Sequence, residues 1–303
     1  MIVQFIDMHK SKFGVEPICV QLAELGCRFA PSTYYEARGR KPSKRAIRDE
    51  ELKIQIAEEH KANFAVYGPR KMWMHLRRKG IDVSRRTVER LMTQLGLQGV
   101  RRGRVKRTTV PGAGPRAKDL VHRRFAPLAP NKLWVADFTY VWTVAGWVYV
   151  AFVIDAYARR ILGWKVSTSM TTELVLDAVN QAIFTRHREG VKNLAGLIHH
   201  NDAGSQYTSV RFTERLLEVG IDPSIGTVGD AHDNSLAESI NGLYKAELIN
   251  PGKPWRNAAH VEMETATYLR WYNYDRLYEY CGDIPPVELE RHFYCTQAET
   301  TVA

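Results

Sequence analysis

The chain has 303 residues, 45% hydrophobic, 25% charged and 10% aromatic, a composition that excludes disorder, collagen and coiled coil and allows two or more domains with real cores. Net charge is +10, but unevenly spread: residues 1–130 carry 28 Lys and Arg against 12 Asp and Glu, and residues 131–303 carry 15 against 21. A basic half ahead of an acidic half suggests a polyanion-binding module joined to something else.

In chain order, residues 1–47 read as an N-terminal helical segment. Val15 to Leu25 is a helix, Gly26 a turn, and Pro31-Ser32-Thr33-Tyr34-Tyr35 opens a second helix, a candidate helix-turn-helix. Asp7, His9 and Lys10 interrupt the apolar opening, so it is no signal peptide. Residues 48–107 read as three helices. Leu52, Ile56 and Ala57 mark the first; Met72, Trp73, Leu76 and Arg77 mark a second that stops at Gly80; Ser84 caps a third, Arg85 to Leu95, which closes on Gly96. Helix, glycine turn and a helix opening on Arg85, Arg86, Thr87 and Arg90 is the helix-turn-helix pattern, whose second helix enters the major groove of DNA. A small basic bundle with no nucleic-acid role has the same local pattern. Arg101, Arg102, Arg104, Lys106 and Arg107 then lead into Pro111-Gly112-Ala113-Gly114-Pro115, a basic linker over 108–128 that is either solvated or laid along phosphates.

Residues 129–292 change pattern. Leu133 to Tyr140, Trp147 to Ile154 and Ile161 to Val166 are β-branched and aromatic with short turns, an antiparallel trio. Helix Thr172 to Arg188, strand Leu197 to His200, helix Ser209 to Val219, strand Pro223 to Ile225 and helix Leu236 to Leu248 follow, giving a mixed α/β core, with a tail at 293–303. The longest apolar run, Val144 to Ile154, is too short to cross a bilayer. Cys19, Cys27, Cys281 and Cys295 show no metal-ligand spacing and fit reduced, mostly packed thiols.

Three carboxylates stand out. Asp137 shares a strand face with Leu133, Val135 and Thr139, where an ionised group is costly without a partner or metal; satisfaction by hydrogen bonds at a strand end is the plainer alternative. Asp202 follows Leu197-Ile198-His199-His200-Asn201, where a buried strand exits into a loop, the place where sites form in α/β sheets, although it could equally close a turn onto Gly204. Glu238 in Ser235-Leu236-Ala237-Glu238 fits a capping box, but Lys245 lies two turns further on the same face, with Gly242 clearing the approach between them. Asp155, Asp230 and Asp233 read as turn and capping residues, and His199, His200 and His232 as packing or DNA contacts.

Asp-Phe-Thr-Tyr (137–140), His-Asn-Asp-Ala-Gly-Ser-Gln-Tyr (200–207) and Asp-Asn-Ser-Leu-Ala-Glu-Ser-Ile-Asn-Gly-Leu-Tyr-Lys (233–245), with 35 residues between Asp202 and Glu238, resemble the D,D-35-E signature of the transposase and retroviral-integrase superfamily. Within it the chain most resembles the OrfB proteins of the IS-three group of bacterial insertion sequences. Tyr67-Gly68-Pro69-Arg70-Lys71, Ala129 to Trp134, Trp271-Tyr272-Asn273 and Pro285-Pro286 extend the resemblance over nearly the whole chain. Asn201, Ala203 and Tyr278 depart from the residues usual there, which bears on DNA contacts more than on chemistry. The His/Cys zinc module of retroviral integrases has no counterpart.

The resemblance implies an RNase H-like five-stranded mixed sheet flanked by helices, preceded by the all-α DNA-binding region. It implies Asp137, Asp202 and Glu238 as catalytic metal ligands for two Mg²⁺ ions, with Mn²⁺ as a substitute, performing cleavage and strand transfer by in-line displacement. Lys245, Arg85, Arg86, Arg90, Arg101, Arg102 and Arg104 would contact DNA, both insertion-sequence terminal inverted repeats and target. A homo-oligomer on DNA, an OrfA or OrfA-OrfB fusion partner, and a bacterial cytoplasmic, nucleoid-associated location with no membrane role complete the expectation. Two rivals remain: a DNA-binding regulator without catalysis, and an RNase H-type nuclease that cleaves without joining.

Overall fold

The computed structural model describes residues 1–101, 120–121, 125–202, 206–207, 209–226 and 234–302. Arg102, Arg104, Lys106, Arg107, the Pro111–Pro115 stretch, Ala203, Gly204, Asp230, His232 and Asp233 lie outside the described residues. The chain divides into two compact units, Met1–Gln55 and Ile56–Ala303.

The first unit holds α1 (Ile2–Phe13), α2 (Val15–Glu24), α3 (Pro31–Gly39) and the start of α4 (Lys44–Ala62). Ile6, Val15, Ile18, Cys19 and Tyr34 form its core. Helix α1 was hidden in the sequence by its charges, and two of these serve the core: the Tyr34 hydroxyl donates to Asp7 (2.9 Å) and accepts from Lys10 Nζ (2.9 Å).

The second unit opens with the end of α4, then α5 (Pro69–Arg78) and α6 (Arg85–Gln94). These are the expected helix-turn-helix elements. Ser84 Oγ accepts from Thr87 N at 3.2 Å, and the turns after α5 and α6 use Gly80 (φ 79°) and Gly96 (φ 67°), conformations open to glycine. Val88, Leu91 and Met92 bury one face of α6, leaving Arg85 and Arg86 exposed and Arg90 half-buried; Arg101 is exposed.

The sheet has the order β3-β2-β1-β4-β5. Strands β1 (Leu133–Thr143), β2 (Gly146–Asp155) and β3 (Arg160–Ser167) are antiparallel, while β4 (Leu197–Asn201) and β5 (Ile221–Ile225) run parallel to β1. On one face α7 (Thr172–Arg188) packs Val175, Ala178, Val179 and Ala182 against Trp134, Ala136, Ala151 and Val153. Its approach requires Gly163 in β3, where a Cβ would lie 2.0 Å from the Ala178 carbonyl oxygen. Helix α8 (Val210–Glu218) precedes β5, and α9 (Ser235–Tyr244) covers the other face, with Tyr244 edge-on to Phe152 of β2 at 5.0 Å. The last helical stretch was expected to run unbroken to Leu248. Instead α9 widens into a π-helical turn over Lys245–Ile249, which carries Glu247 inward to Arg276 (Nε, 2.9 Å) and the Tyr268 hydroxyl (2.8 Å).

Two further helices, α10 (Ala258–Tyr274) and α11 (Pro286–Val302), complete the unit, and α11 runs through the stretch read as a tail. Asp155 anchors its turn as expected, accepting from Asn131 N and Tyr157 N, and also joins a buried network: Arg186 bridges Asp155 (2.8 Å) and Glu290 of α11 (2.7 Å), and Arg160 binds Glu290 (2.6 Å). Asn273 brackets Ile161, donating to its carbonyl (2.8 Å) and accepting its N–H (3.0 Å).

The segment preceding α5 is fastened to this frame. Trp271 Nε1 donates to Asn63 Oδ1 (3.0 Å), and the buried Tyr67 hydroxyl accepts from Leu277 N (2.7 Å) and donates to the Asp275 carbonyl (3.3 Å). Arg70 pairs with Asp283, and Arg78 with Glu288 at 2.6 Å. Gly68 and Gly99 cross so closely that a Cβ on Gly99 would meet Gly68 N at 2.5 Å. Among the described residues, no helix is long and apolar enough to cross a membrane. Cys19 and Cys281 are buried, Cys27 is half-buried and Cys295 exposed.

Candidate active site

Strand β4 pairs with β1 only over Leu133–Ala136, ending at Ala136 opposite Asn201. Asp137, still paired with β2, and Asp202, just past the end of β4, are each the next residue, so both carboxylates stand where the parallel pair stops, on neighbouring strands about 4.8 Å apart. Tight pairing of hydrophobic strands thus delivers two acidic groups to one rim without burying either completely; both are half-buried.

Helix α9 brings the third. Asn234, at its N-cap, donates from Nδ2 to the Ala136 carbonyl (2.9 Å), and Asn241 donates from Nδ2 to Asp137 Oδ2 (2.8 Å). Residues 234, 238 and 241 share one helical face, so Glu238 lies between two groups that clamp α9 onto β1. The capping box read from Ser235 is not formed: Ser235 is the first helical residue, one position too late, and Asn234 spends its amide on β1. Lys245, seven residues beyond Glu238, sets its ammonium 4.3 Å from the centre of the Tyr140 ring, three residues along β1 from Asp137.

The electrostatics follow. Burial, then the adjacent Asp202, then Glu238 push the Asp137 carboxyl up to about 8, against the opposing hydrogen bonds from Phe138 N (2.8 Å) and Asn241. Asp137 is therefore a carboxyl that needs either a proton or a cation. Among the described residues, no three His, Cys, Asp or Glu side chains are close enough together to enclose a metal ion. The donor set remains all-oxygen and acidic, which suits Mg²⁺ or Mn²⁺ and not zinc.

Asn234 and Asn241 escaped the sequence reading although both stand in the motif around Glu238; their spacing from it, four before and three after, was the available signal. His199 is buried against Phe212 and held down to about 4, first by burial and then by His200, while His200 Nδ1 lies 2.9 Å from Ser224 Oγ. Both are packing residues. Of the expected DNA contacts, Lys245 lies beside the carboxylates, whereas Arg85, Arg86 and Arg90 are on α6.

Family models described as integrase core domain match residues 127–231 and 219–286, and one described as HTH-like domain matches residues 47–105. A relative named for insertion sequence element IS986/IS6110 of Mycobacterium tuberculosis is 62% identical over 266 residues, 88% of this chain and 96% of its own. The transposase for insertion sequence element IS629 of Shigella sonnei is 47% identical over 296 residues, 96% of each chain. The transposase for insertion sequence element IS904 of Lactococcus lactis is 33% identical over 258 residues, 84% of this chain and 98% of its own. Among solved structures, the HTLV-2 integrase catalytic core domain in complex with magnesium, in its trimeric form, aligns with a TM-score of 0.41 and 19% identity, covering 54% of this chain and 98% of that one.

Proposed function

Because the chain belongs to the transposases of bacterial IS3-family insertion sequences, DNA-transposing enzymes, we propose that Asp137, Asp202 and Glu238 carry out metal-dependent cleavage at the element's ends and strand transfer into target DNA. The observation that carries the reading is the place of Asp137 and Asp202 side by side where the β1–β4 pairing stops, with the Asp137 carboxyl raised first by burial, then by Asp202 and Glu238. Carboxylates set beside a polyanionic substrate require cations between them.

Two Mg²⁺ ions, or Mn²⁺ in their place, would activate a water or the DNA's own 3′-hydroxyl as nucleophile and stabilise the leaving 3′-oxygen. Asp137, Asp202 and Glu238 would hold them. Phe138 N and Asn241 fix the rotamer of Asp137, so its carboxylate is oriented before substrate arrives. Lys245 neutralises a phosphate near the cleaved bond as a point charge on a flexible stem. Duplex DNA is engaged by α6 through Arg85, Arg86 and Arg90, with Arg101, Arg102 and Arg104 following the backbone. The proposed division keeps 1–47 helical, 48–107 as the DNA-binding module, 108–128 as linker, 129–292 as catalytic core and 293–303 as the end of the chain. A homo-oligomer on DNA and an OrfA partner or fusion belong to the same proposal.

The test is a strand-transfer assay on duplexes carrying the element's own terminal repeat with a pre-cut 3′-hydroxyl. Joined product in Mg²⁺ is expected from the wild type and none from Asp137→Asn, Asp202→Asn or Glu238→Gln. Nicking without joining would favour the nuclease, and DNA binding without either would favour the regulator.

A further inference from the structure

Beyond Asp137, strand β1 carries an aromatic stripe that neither the fold nor the carboxylate chemistry uses. Tyr140 pairs with Tyr149 and Trp142 with Trp147 across the β1–β2 hairpin, so all four project from one face. The Trp147 ring meets Trp142 edge-on at 4.8 Å and Tyr140 at 5.3 Å. Tyr140, Trp142 and Trp147 nevertheless stay 40%, 59% and 49% exposed. The same face nearer Asp137 is covered: Trp134 and Ala136 lie under α7, and Phe138 packs at the edge of that core. Three large rings kept together in water at a hairpin end mark a binding surface.

The hairpin is also held in place. Val144 N and Ala145 N donate to the carbonyls of Trp255 (2.8 Å) and Arg256 (3.2 Å), docking its tip on loop 250–257. The charged residues of that loop are Lys253 and Arg256, both exposed, with no carboxylate among them, and residues 140–149 carry no charge. At the inner end, Lys245 covers the Tyr140 ring. Flat rings flanked by cations at both ends match a strand with exposed base faces and phosphates; a paired duplex has its base faces already stacked.

We propose that Tyr140, Trp142 and Trp147, flanked by Lys245, Lys253 and Arg256, form a stacking platform for unpaired nucleotides next to the phosphate being cleaved or joined. The rings stand about 10 to 17 Å along β1 from Asp137 at the usual strand rise and on the opposite face of that strand, with Lys245, over Tyr140, reaching across from the α9 side. The platform rests on the active-site reading above for its position and implies that the DNA is locally unpaired when it reacts.

The test uses the full-length chain and a fluorescent oligothymidine of about twelve nucleotides, within the usual range of single-strand site sizes, beside a blunt, fully paired duplex of equal length. Replacing Trp142→Ala and Trp147→Ala together should weaken oligothymidine binding roughly tenfold and leave duplex binding nearly unchanged. Trp142→Phe with Trp147→Phe keeps ring faces and should recover most of the loss, which separates stacking from misfolding. Equal single-strand affinity in wild type and the alanine pair overturns the proposal. So does a wild-type oligomer, seen by sedimentation without DNA, that the alanine pair dissolves while oligothymidine binding stays the same, since the stripe would then join two copies of the chain. Asp137→Asn, assayed in parallel, should bind oligothymidine normally and lose Mg²⁺-dependent nicking. Persistence of nicking would refute the active-site reading without touching the platform.

Discussion

Replacing Asp137 with Asn should stabilise the metal-free protein while abolishing its chemistry. The carboxyl is raised from 3.8 to about 8 by burial and by Asp202 and Glu238, so the folded state holds a proton that the unfolded state releases between pH 4 and 8. Stability is therefore lost progressively as pH rises through that window, and the loss is complete above it. At pH 7 the interval is roughly three pH units, a ceiling of about 4 kcal/mol at 1.36 kcal/mol per unit. The cost is shared with two other carboxylates at a partly open rim, so a gain of about 2 kcal/mol is expected, or about 4 to 8 °C in Tm. The new amide fits: Asn241 Oδ1 is buried without a hydrogen-bond partner and can accept from it once the Asn241 amide turns over. Thermal denaturation of both proteins at pH 5 and pH 8 in EDTA, then in excess Mg²⁺, is the assay. The variant should be the more stable at pH 8 without metal, with the gap closing at pH 5, and Mg²⁺ should raise the Tm of the wild type alone. A variant less stable than wild type at pH 8, or a difference independent of pH, would refute the raised Asp137 carboxyl.

Lys245→Ala should weaken binding of an end-containing duplex by about 1 to 3 kcal/mol, the range for losing a hydrogen bond to a charged group, and Lys245→Arg should recover part of it; an unchanged Kd would remove Lys245 from the site. Arg85→Ala with Arg86→Ala should lower duplex affinity and shallow the slope of log Kd against log salt by about 2, whereas an unchanged slope would mean that α6 does not meet phosphate. Tyr67→Phe should cost about 1 to 3 kcal/mol in chemical denaturation, because it leaves Leu277 N without its partner; a smaller effect would show the junction with 275–277 to be loose. For the same reason a fragment of residues 48–107 would expose Asn63 and Tyr67, so the DNA contacts of α6 are tested within the full chain.

The carboxylates were singled out by position, although Asp202 also fitted a turn and Glu238 a capping box. Asp137 puts charge on a strand face, Asp202 ends a buried strand, and Glu238 shares a helical face with a lysine two turns away. Ser84, Gly80 and Gly96 marked helix ends because capping and positive φ are local demands. What the sequence hid is long-range. Arg186 finds Glu290 across 104 residues, and Trp271 finds Asn63 across 208; no periodicity records such partners. The π-helical turn is likewise invisible locally, since it answers to Arg276 and Tyr268, which lie outside α9. The Tyr67-Gly68-Pro69-Arg70 segment was recognised as a motif, but its work is mechanical: Tyr67 locks to 275–277, Gly68 admits Gly99, Pro69 starts α5 and Arg70 holds Asp283.

The proposal that these carboxylates are metal ligands is tested most directly by exchanging one for a softer donor. Asp202 is suited to this because it is half-buried at a strand end and its replacement disturbs little packing. In Asp202→Cys, cleavage of an end-containing duplex should disappear in Mg²⁺, which rejects thiolate, and return in Mn²⁺, which accepts it. Undiminished cleavage by Asp202→Cys in Mg²⁺ would contradict the assignment.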